Sequence, residues 1–209
     1  MRLAIFGATG TVGSELISQA LAAGHEVRAL VRDPTKLTAT DGRRLSVVRG
    51  DVFDPTAVGD AISGCDAVLS TLGATHTDDP HTRRAGTANI LSAMRAGGIA
   101  RIVVMFGFHV SSPGEDGTLG QRLIVPLLRL GRVVVADTTG MGALVQASDL
   151  NWTFVRSPRV VRGEPTAAPR IGTLKLGPWS KVTRGDIARL MLRCVTDNAY
   201  IRQAPMVSS

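Results

Sequence analysis

Residues 2–13 read RLAIFGATGTVG, and the order of residue types along this stretch decides the fold class. The apolar run over residues 2–6 ends at Gly7, as a buried strand does when it enters a turn. Two more glycines follow at three-residue intervals, Gly10 and Gly13, and apolar residues at helical spacing come next. A strand that runs through spaced glycines into a helix is typical of the first unit of a parallel α/β sheet.

Short β-branched runs and amphipathic helical segments alternate along the rest of the chain. The predicted strands lie at residues 26–31, 45–48, 67–72, 101–105, 152–155 and, late in the chain, 171–176. The predicted helices lie at residues 12–23, 55–62, 82–96, 138–148 and 183–195. This alternation predicts an α/β fold with a doubly wound, mostly parallel sheet and helices on both faces, as in Rossmann-like domains. We expect residues 1–209 to form one domain in which residues 156–209 make a small substrate-side portion.

The chain is basic, since its 209 residues carry 24 Lys and Arg against 17 Asp and Glu, a formal net charge of +7. A basic surface attracts nucleic acid, anionic lipid or phosphorylated ligands. The charges are scattered, without a run of like charge or aromatic residues interleaved for base stacking, so nucleic-acid binding is not expected. A phosphorylated small ligand accounts for part of this charge.

Cysteine usage and the lack of long apolar stretches indicate the compartment. Cys65 and Cys194 stand far apart without a paired spacing, which favours a reducing environment. The apolar run at residues 3–6 is too short for a signal peptide, and no stretch approaches the roughly 20 apolar residues of a membrane span. We therefore expect a cytoplasmic protein without membrane contact.

The glycine turn itself predicts a ligand. Such a turn lets the backbone approach a pyrophosphate closely, and the N–H groups that begin the following helix bind the anion. We therefore expect a nicotinamide dinucleotide in contact with Gly7, Thr9, Gly10, Thr11 and Val12.

The end of the second strand predicts which dinucleotide binds. An acid there accepts a hydrogen bond from the ribose 2′-hydroxyl of NAD, whereas an arginine pairs with the 2′-phosphate of NADP. Both residue types are present, as Arg32 and Asp33, with Lys36 close behind. A guanidinium matches phosphate geometry and Lys36 adds a second positive charge, so we expect NADP, with NAD held by Asp33 as the alternative.

Two further strand ends supply residues for the adenosine part. Asp51 follows the third strand, where it can accept from the adenine amino group while Val52 packs on the ring. Leu72 and Gly73 follow the fourth strand, where a glycine lets the backbone approach the ribose and pyrophosphate. The alternative is that Asp51 only stabilises a turn or caps a helix.

Several motifs, in one order along the chain, resemble a known family. They are the glycine turn, Leu30-Val31-Arg32-Asp33, Gly50-Asp51-Val52, Asp66-Ala67-Val68 and Leu72-Gly73, followed by Gly177-Pro178 and by Asp186 with Met191-Leu192-Arg193-Cys194. Together they resemble the atypical short-chain dehydrogenase/reductases with NmrA-like NAD(P)-binding domains, and most of all the biliverdin-IXβ reductase/flavin reductase branch. The resemblance implies an NADPH-dependent reductase of flavins and planar tetrapyrroles that is a monomer or a weak homodimer. It also implies that Met105, Gly107, Pro158 and Arg159 face the nicotinamide.

The chain departs from that branch where the proton chemistry belongs. Gly107 stands where the branch usually has a serine, and Arg159 and Thr138 stand where it has histidines. The Tyr-x-x-x-Lys relay of the wider superfamily is missing, and the single tyrosine is Tyr200. Two hypotheses follow: a reductase of a flavin, quinone or similar planar acceptor, which needs little acid catalysis, or a non-catalytic NADP(H)-binding sensor or interaction protein.

Other polar residues are weaker candidates. His109 is a candidate proton donor and Arg159 can stabilise an anion or bind a substrate acid, although it does not act as a general acid. The segment 76–81, His-Thr-Asp-Asp-Pro-His, fits no zinc-ligand spacing, so we expect no metal. The apolar segment 123–135 is read as a substrate lid, a helix over the core or an oligomer contact.

Overall fold

The structure is a computed structural model, and it describes residues 1–37, 43–73, 82–107, 132–177 and 179–209. The strands of the described chain are β1 (Arg2–Phe6), β2 (Glu26–Val31), β3 (Leu45–Arg49), β4 (Ala67–Ser70), β5 (Arg101–Gly107), β6 (Asn151–Ser157), β7 (Arg159–Val161), β8 (Arg170–Gly172), β9 (Lys181–Thr183) and β10 (Met206–Ser208). The helices are α1 (Thr11–Ala22), α2 (Pro55–Ile62), α3 (Thr82–Ala96), α4 (Arg132–Gln146) and α5 (Arg184–Thr196), with one 3-10 turn at Pro34–Lys36.

Eight strands form one sheet in the order β3-β2-β1-β4-β5-β6-β10-β8. The pairs from β3 through to β6 are all parallel, so the carboxyl ends of these six strands meet at one edge. Strand β1 lies in the middle, with β2 on one side and β4 on the other, which is the switch point where open α/β sheets bind ligands. The predicted doubly wound, mostly parallel sheet is confirmed.

Helices cover both faces of the sheet, so the central strands are buried on both sides. Leu16 and Ile17 of α1 and Met191 of α5 are fully buried in a cluster on one face. Val58 of α2 and Ile90 of α3 are fully buried in a second cluster on the other face, which α4 also joins. A sheet covered on both faces requires strands without polar alternation, as the apolar runs of the sequence predict.

Short elements late in the chain differ from the sequence prediction. The expected strand at 171–176 is instead the three-residue β8, and the helix expected at 138–148 begins six residues earlier, in α4. Strands β7, β9 and β10 were not predicted, because three residues carry too little periodicity. β10 extends the main sheet beyond β6, whereas β7 and β9 pair with each other in a separate parallel ribbon. The assignment of residues 1–209 to one domain stays a prediction.

Within the described ranges, no helix has the length and apolar character needed to cross a membrane.

The buried carboxylate of Asp186 ties the late segments together. It accepts hydrogen bonds from Thr183 Oγ1 (2.8 Å), the Thr166 main-chain N–H (2.9 Å) and Ser209 Oγ (3.0 Å). Thr183 Oγ1 also accepts from the Asp186 N–H at 3.1 Å and so caps α5. Burial by itself raises the pKa of the Asp186 carboxyl, but these hydrogen bonds outweigh it and hold the pKa below its ordinary value.

Replacing Asp186→Asn should lower the free energy of unfolding at pH 7 by about 1.5–3 kcal/mol, the usual contribution of hydrogen bonds to a charged group. Because the folded-state pKa is depressed, the carboxylate stabilises the fold above its unfolded pKa of about 3.9. That contribution is lost as the pH falls through the folded value. Urea unfolding of both proteins at pH 7 and below pH 3 should therefore show the difference shrink in acid. Asp197→Asn, at the exposed end of the same helix, is the control, and an equal loss there would contradict the assignment.

Candidate functional site

A cavity of about 740 Å³ lies along the carboxyl ends of the central strands. This volume falls within the range of small-molecule and cofactor sites. Fourteen of the fifteen residues predicted to contact a cofactor line it: Gly7, Thr9, Gly10, Thr11, Val12, Arg32, Asp51, Val52, Leu72, Gly73, Met105, Gly107, Pro158 and Arg159. The fold thus brings together residues from Gly7 to Arg159, which are distant in the chain, while their contact with a cofactor stays a prediction.

The turn between β1 and α1 has a shape that glycine alone allows. Gly7 has φ +78°, a backbone conformation in the left-handed region. Its carbonyl oxygen accepts from the Gly10 N–H at 3.0 Å, which closes the turn. A Cβ atom at Gly13 would overlap that same carbonyl, so the first turn of α1 lies directly against the backbone of Gly7.

Thr71, at the end of β4, holds the turn from the neighbouring strand. Its hydroxyl lies 3.1 Å from the Phe6 carbonyl oxygen and 3.2 Å from that of Gly7. Its main-chain N–H also donates to Phe6 at 2.9 Å. The position of the turn therefore depends on the β1–β4 pairing. Thr71 lines the cavity and was not among the predicted contacts, although its place at a strand end was a usable signal.

The start of α1 differs from the starts of α2, α3 and α5. An Asp54 side chain caps α2, Thr183 caps α5, and Asp137 of α4 accepts from the first main-chain N–H groups of α3. The N-cap residue of α1 is Gly10, which has no side chain to cap the helix. The donors at the start of α1 thus face the cavity, and with the close glycine backbone they fit the pyrophosphate of a dinucleotide.

Arg32 and Asp33 have different surroundings at the end of β2. Arg32 lines the cavity, and its Nε lies 4.0 Å from Asp51 Oδ2. The Asp33 carboxylate instead accepts from the Thr35 hydroxyl (2.7 Å) and N–H (3.1 Å), and these hydrogen bonds lower its pKa. Lys36 lies 3.9 Å from Asp33 and is the one predicted contact outside the cavity lining. The geometry presents a cation rather than a carboxylate at this strand end.

The residues after β3 form the wall beside Arg32. Asp51 Oδ1 accepts from the Phe53 N–H at 3.0 Å, and Asn89 of α3 donates to the Val52 carbonyl at 2.9 Å. Val52 is buried at the cavity floor, whereas the Phe53 ring lines the cavity with 44% of the residue exposed. Asp51 therefore stabilises a turn through Oδ1, as the alternative interpretation predicts. Its other oxygen, Oδ2, lies on the side of Arg32, so the turn does not exclude a contact with a ligand. Phe53 was not predicted as a site residue.

The other half of the cavity lies beyond β4, β5 and β6. Gly107 pairs with Ser157 at the ends of β5 and β6, and Met105, Pro158 and Arg159 line the cavity beside them. The Ser157 hydroxyl is buried, 3.5 Å from the Phe106 carbonyl. The candidate proton donor His109 lies outside the described residues, as do the segment 76–81 and residues 123–131 of the apolar segment.

Arg83 of α3 and Thr138 and Met141 of α4 also line this half. Sequence reasoning missed Arg83 because it stands ten residues after Gly73 with no motif around it. Thr138 was identified only as the counterpart of a histidine. Its hydroxyl accepts a hydrogen bond from Arg83 Nη1 at 2.6 Å.

Tyr200 lies at the opposite edge of the sheet. Its main-chain carbonyl accepts from Thr153 Oγ1 at 2.8 Å, and the adjacent Ala199 carbonyl accepts from Arg101, the residue that begins β5. Tyr200 is therefore near the amino ends of β5 and β6 and does not supply a proton at the cavity. Among the described side chains, no group of three or more His, Cys, Asp or Glu could hold a metal ion.

Comparison with known proteins gives the family. Residues 7–198 match the model of a family described as NAD(P)H-binding. A 3-beta-hydroxysteroid dehydrogenase from Mycolicibacterium neoaurum is 32% identical over 217 residues, which cover 96% of this chain and 57% of that protein. The chain thus spans little more than half the length of this curated relative. The expectation of a nicotinamide dinucleotide from the glycine turn is confirmed.

Two solved structures share the fold. A candidate NADH-flavin reductase from Streptococcus pneumoniae superposes with a TM-score of 0.80 at 21% identity, covering 100% of this chain and 99% of that one. A short-chain dehydrogenase/reductase from Veillonella parvula, in complex with NADP, superposes with a TM-score of 0.81 at 16% identity, covering 100% of this chain and 94% of that one. These likenesses confirm the Rossmann-like fold expected from the sequence.

Replacing Gly13→Ala should weaken the binding of NADPH and NADH alike, because the added methyl group forces the start of α1 away from Gly7. Overpacking of this kind costs about 1–3 kcal/mol, or roughly 5- to 150-fold in affinity, measured by isothermal titration calorimetry. Gly59→Ala in α2 is the matched control, since a Cβ there meets no atom within 4 Å. Unchanged affinity in the Gly13 variant would show that the turn does not carry the binding.

Proposed function

Because the chain belongs to the NAD(P)H-binding family, we propose that it is an NADPH-dependent reductase whose acceptor is a flavin, a quinone or a similar planar molecule. The observation that carries this proposal is the continuous cavity. It runs from the glycine turn, past the ends of β4 and β5, to the residues that follow β6. A dinucleotide held by the turn would therefore extend its nicotinamide towards Met105 and Pro158, and the acceptor would approach the nicotinamide at this end of the cavity.

The residues of the chain divide the binding between them. The main-chain donors at the start of α1 hold the pyrophosphate, and Val52 and Phe53 offer apolar surface to the adenine. Arg32, which lines the cavity with its Nε 4.0 Å from Asp51 Oδ2, faces the 2′-phosphate.

A planar electron acceptor suits the other half because few described groups there handle protons. The bound NADPH supplies a hydride, which together with a proton from solvent converts an oxidised flavin or quinone to its dihydro form. Reduction of a simple ketone needs a positioned acid in addition. The single tyrosine is at the far edge of the sheet, and the described charged residues at this end are Arg83 and Arg159, whose guanidinium groups donate hydrogen bonds but do not serve as general acids.

The proposal includes the cofactor choice, which rests on the different roles of Arg32 and Asp33. Arg32→Ala should weaken NADPH binding by about 1.5–3 kcal/mol, or roughly 10- to 150-fold, and leave NADH binding nearly unchanged. Calorimetric titration of both dinucleotides gives the two changes. Lys36→Ala is the control, since Lys36 faces Asp33 outside the cavity lining. Equal losses for NADPH and NADH in Arg32→Ala would mean that Arg32 does not read the 2′-phosphate.

Turnover decides between the reductase and a second candidate, a non-catalytic NADP(H)-binding sensor. The sensor is favoured because the described residues of the cavity lining include no histidine, tyrosine or lysine. Absorbance at 340 nm, followed with NADPH and FMN, riboflavin or a naphthoquinone, should fall faster with the protein than without it. NADPH binding without any such acceleration would exclude the reductase and leave the sensor. We also propose that the protein is a monomer or a weak homodimer, as its resemblance to the flavin reductase branch implies.

A further inference from the structure

Charge is distributed unevenly along the cavity. The half beside β2 and β3 contains one described cation and one described anion, Arg32 and Asp51, which lie 4.0 Å apart. In the half beside β4, β5 and β6, the described lining residues that carry charge are Arg83 and Arg159, both positive. A cavity wall of one sign concentrates ligands of the opposite sign.

Arg83 is held in place rather than extended into solvent. Its Nη1 donates to Thr138 Oγ1 at 2.6 Å, so the guanidinium bridges from α3 to α4 at the cavity wall. Asp137, the nearest described carboxylate, is buried and accepts from the main-chain N–H groups of Arg83 and Arg84 at 3.1 and 3.0 Å. The Asp137 carboxylate thus binds the main chain at the start of α3, while the Arg83 side chain lines the cavity. Burial lowers the pKa of Arg83, yet an arginine stays protonated at physiological pH.

The anionic groups of the dinucleotide already have partners elsewhere. The start of α1 fits the pyrophosphate, and Arg32 faces the 2′-phosphate on the opposite side of β1. Arg83 and Arg159 are therefore not needed to neutralise the dinucleotide's phosphates, since the nicotinamide that Arg159 is expected to face carries no anionic group. Guanidinium groups bind carboxylate and phosphate oxygens in paired geometry.

We propose that Arg83 and Arg159 form a binding site for an oxyanion on the acceptor, so that the substrate class is planar molecules bearing a carboxylate or phosphate. This inference rests on the proposed function in one respect only: it takes the acceptor to lie in the half of the cavity beside β5 and β6. Arg83, held by Thr138, fixes the position of the acid group, and the more exposed Arg159 binds the same group from the start of β7.

Binding of matched probes to the NADP⁺-saturated protein tests the site without turnover. FMN and riboflavin share one ring system and differ by a phosphate, and anthraquinone-2-carboxylate and its methyl ester differ by a charge. FMN should bind about tenfold or more tightly than riboflavin, as expected for a charge-assisted contact, measured by quenching of flavin fluorescence. The carboxylate should exceed its ester in the same way if any oxyanion suffices. If FMN alone shows the preference, the site selects phosphate.

Arg83→Met should remove most of the preference for FMN over riboflavin, and Arg83→Lys should keep part of it. Arg159→Met should reduce it as well. Arg84→Met is the matched control, because Arg84 is the next residue of the same helix, is exposed and lies outside the cavity lining. Thermal unfolding of each variant checks that the fold is kept, and Arg83→Lys preserves the test if Arg83→Met fails to fold.

Three results would overturn the proposal. The first is equal or undetectable binding of the charged and uncharged members of both pairs by the wild-type protein. The second is an equal loss of FMN and riboflavin in Arg83→Met. The third is weaker NADP⁺ binding in that variant with an unchanged flavin ratio, which would assign Arg83 to the dinucleotide. A preference for FMN without NADPH oxidation would instead refute the reductase alone.

Discussion

The contact between Gly13 and the carbonyl of Gly7 is the constraint on which the site depends. Because α1 begins against this backbone, its first N–H groups face the cavity, and no side chain at Gly10 competes for them. Thr71 then fixes the turn to β4, so the position of the turn is set by the pairing of β1 with β4. The main chain of two neighbouring strands, more than any one side chain, thus places the start of α1 at the switch point of the sheet.

The local sequence pattern was sufficient to predict the structure wherever residues close in the chain determine it. The cap residues Asp54 and Thr183 and the positive φ of Gly7 follow from residue type and position. The parallel sheet followed from alternation alone, since strands buried on both faces must be apolar throughout. The strand ends in turn located most of the cavity, because the carboxyl ends of parallel strands share one edge.

Residues whose position depends on packing between distant segments were not predictable. Arg83 reaches the cavity because Asp137 of α4 fixes the start of α3, and nothing near Arg83 in the chain signals this contact. Phe53 lines the cavity because of the turn that Asp51 stabilises. Lys36 lies 3.9 Å from Asp33 and outside the cavity lining, and its contact with a cofactor stays a prediction.

The described charged groups of the cavity are mostly arginines, which are suited to binding anions and not to transferring protons. Guanidinium groups bind phosphate or carboxylate across the whole physiological pH range, because they do not release their protons. They therefore position a reactant without acting as its acid. Reductions that take their proton from solvent, such as those of flavins and quinones, are compatible with such a site, whereas a ketone requires a donor such as tyrosine. Because Tyr200 stands at the amino edge near Arg101, the described residues favour acceptors of the first kind.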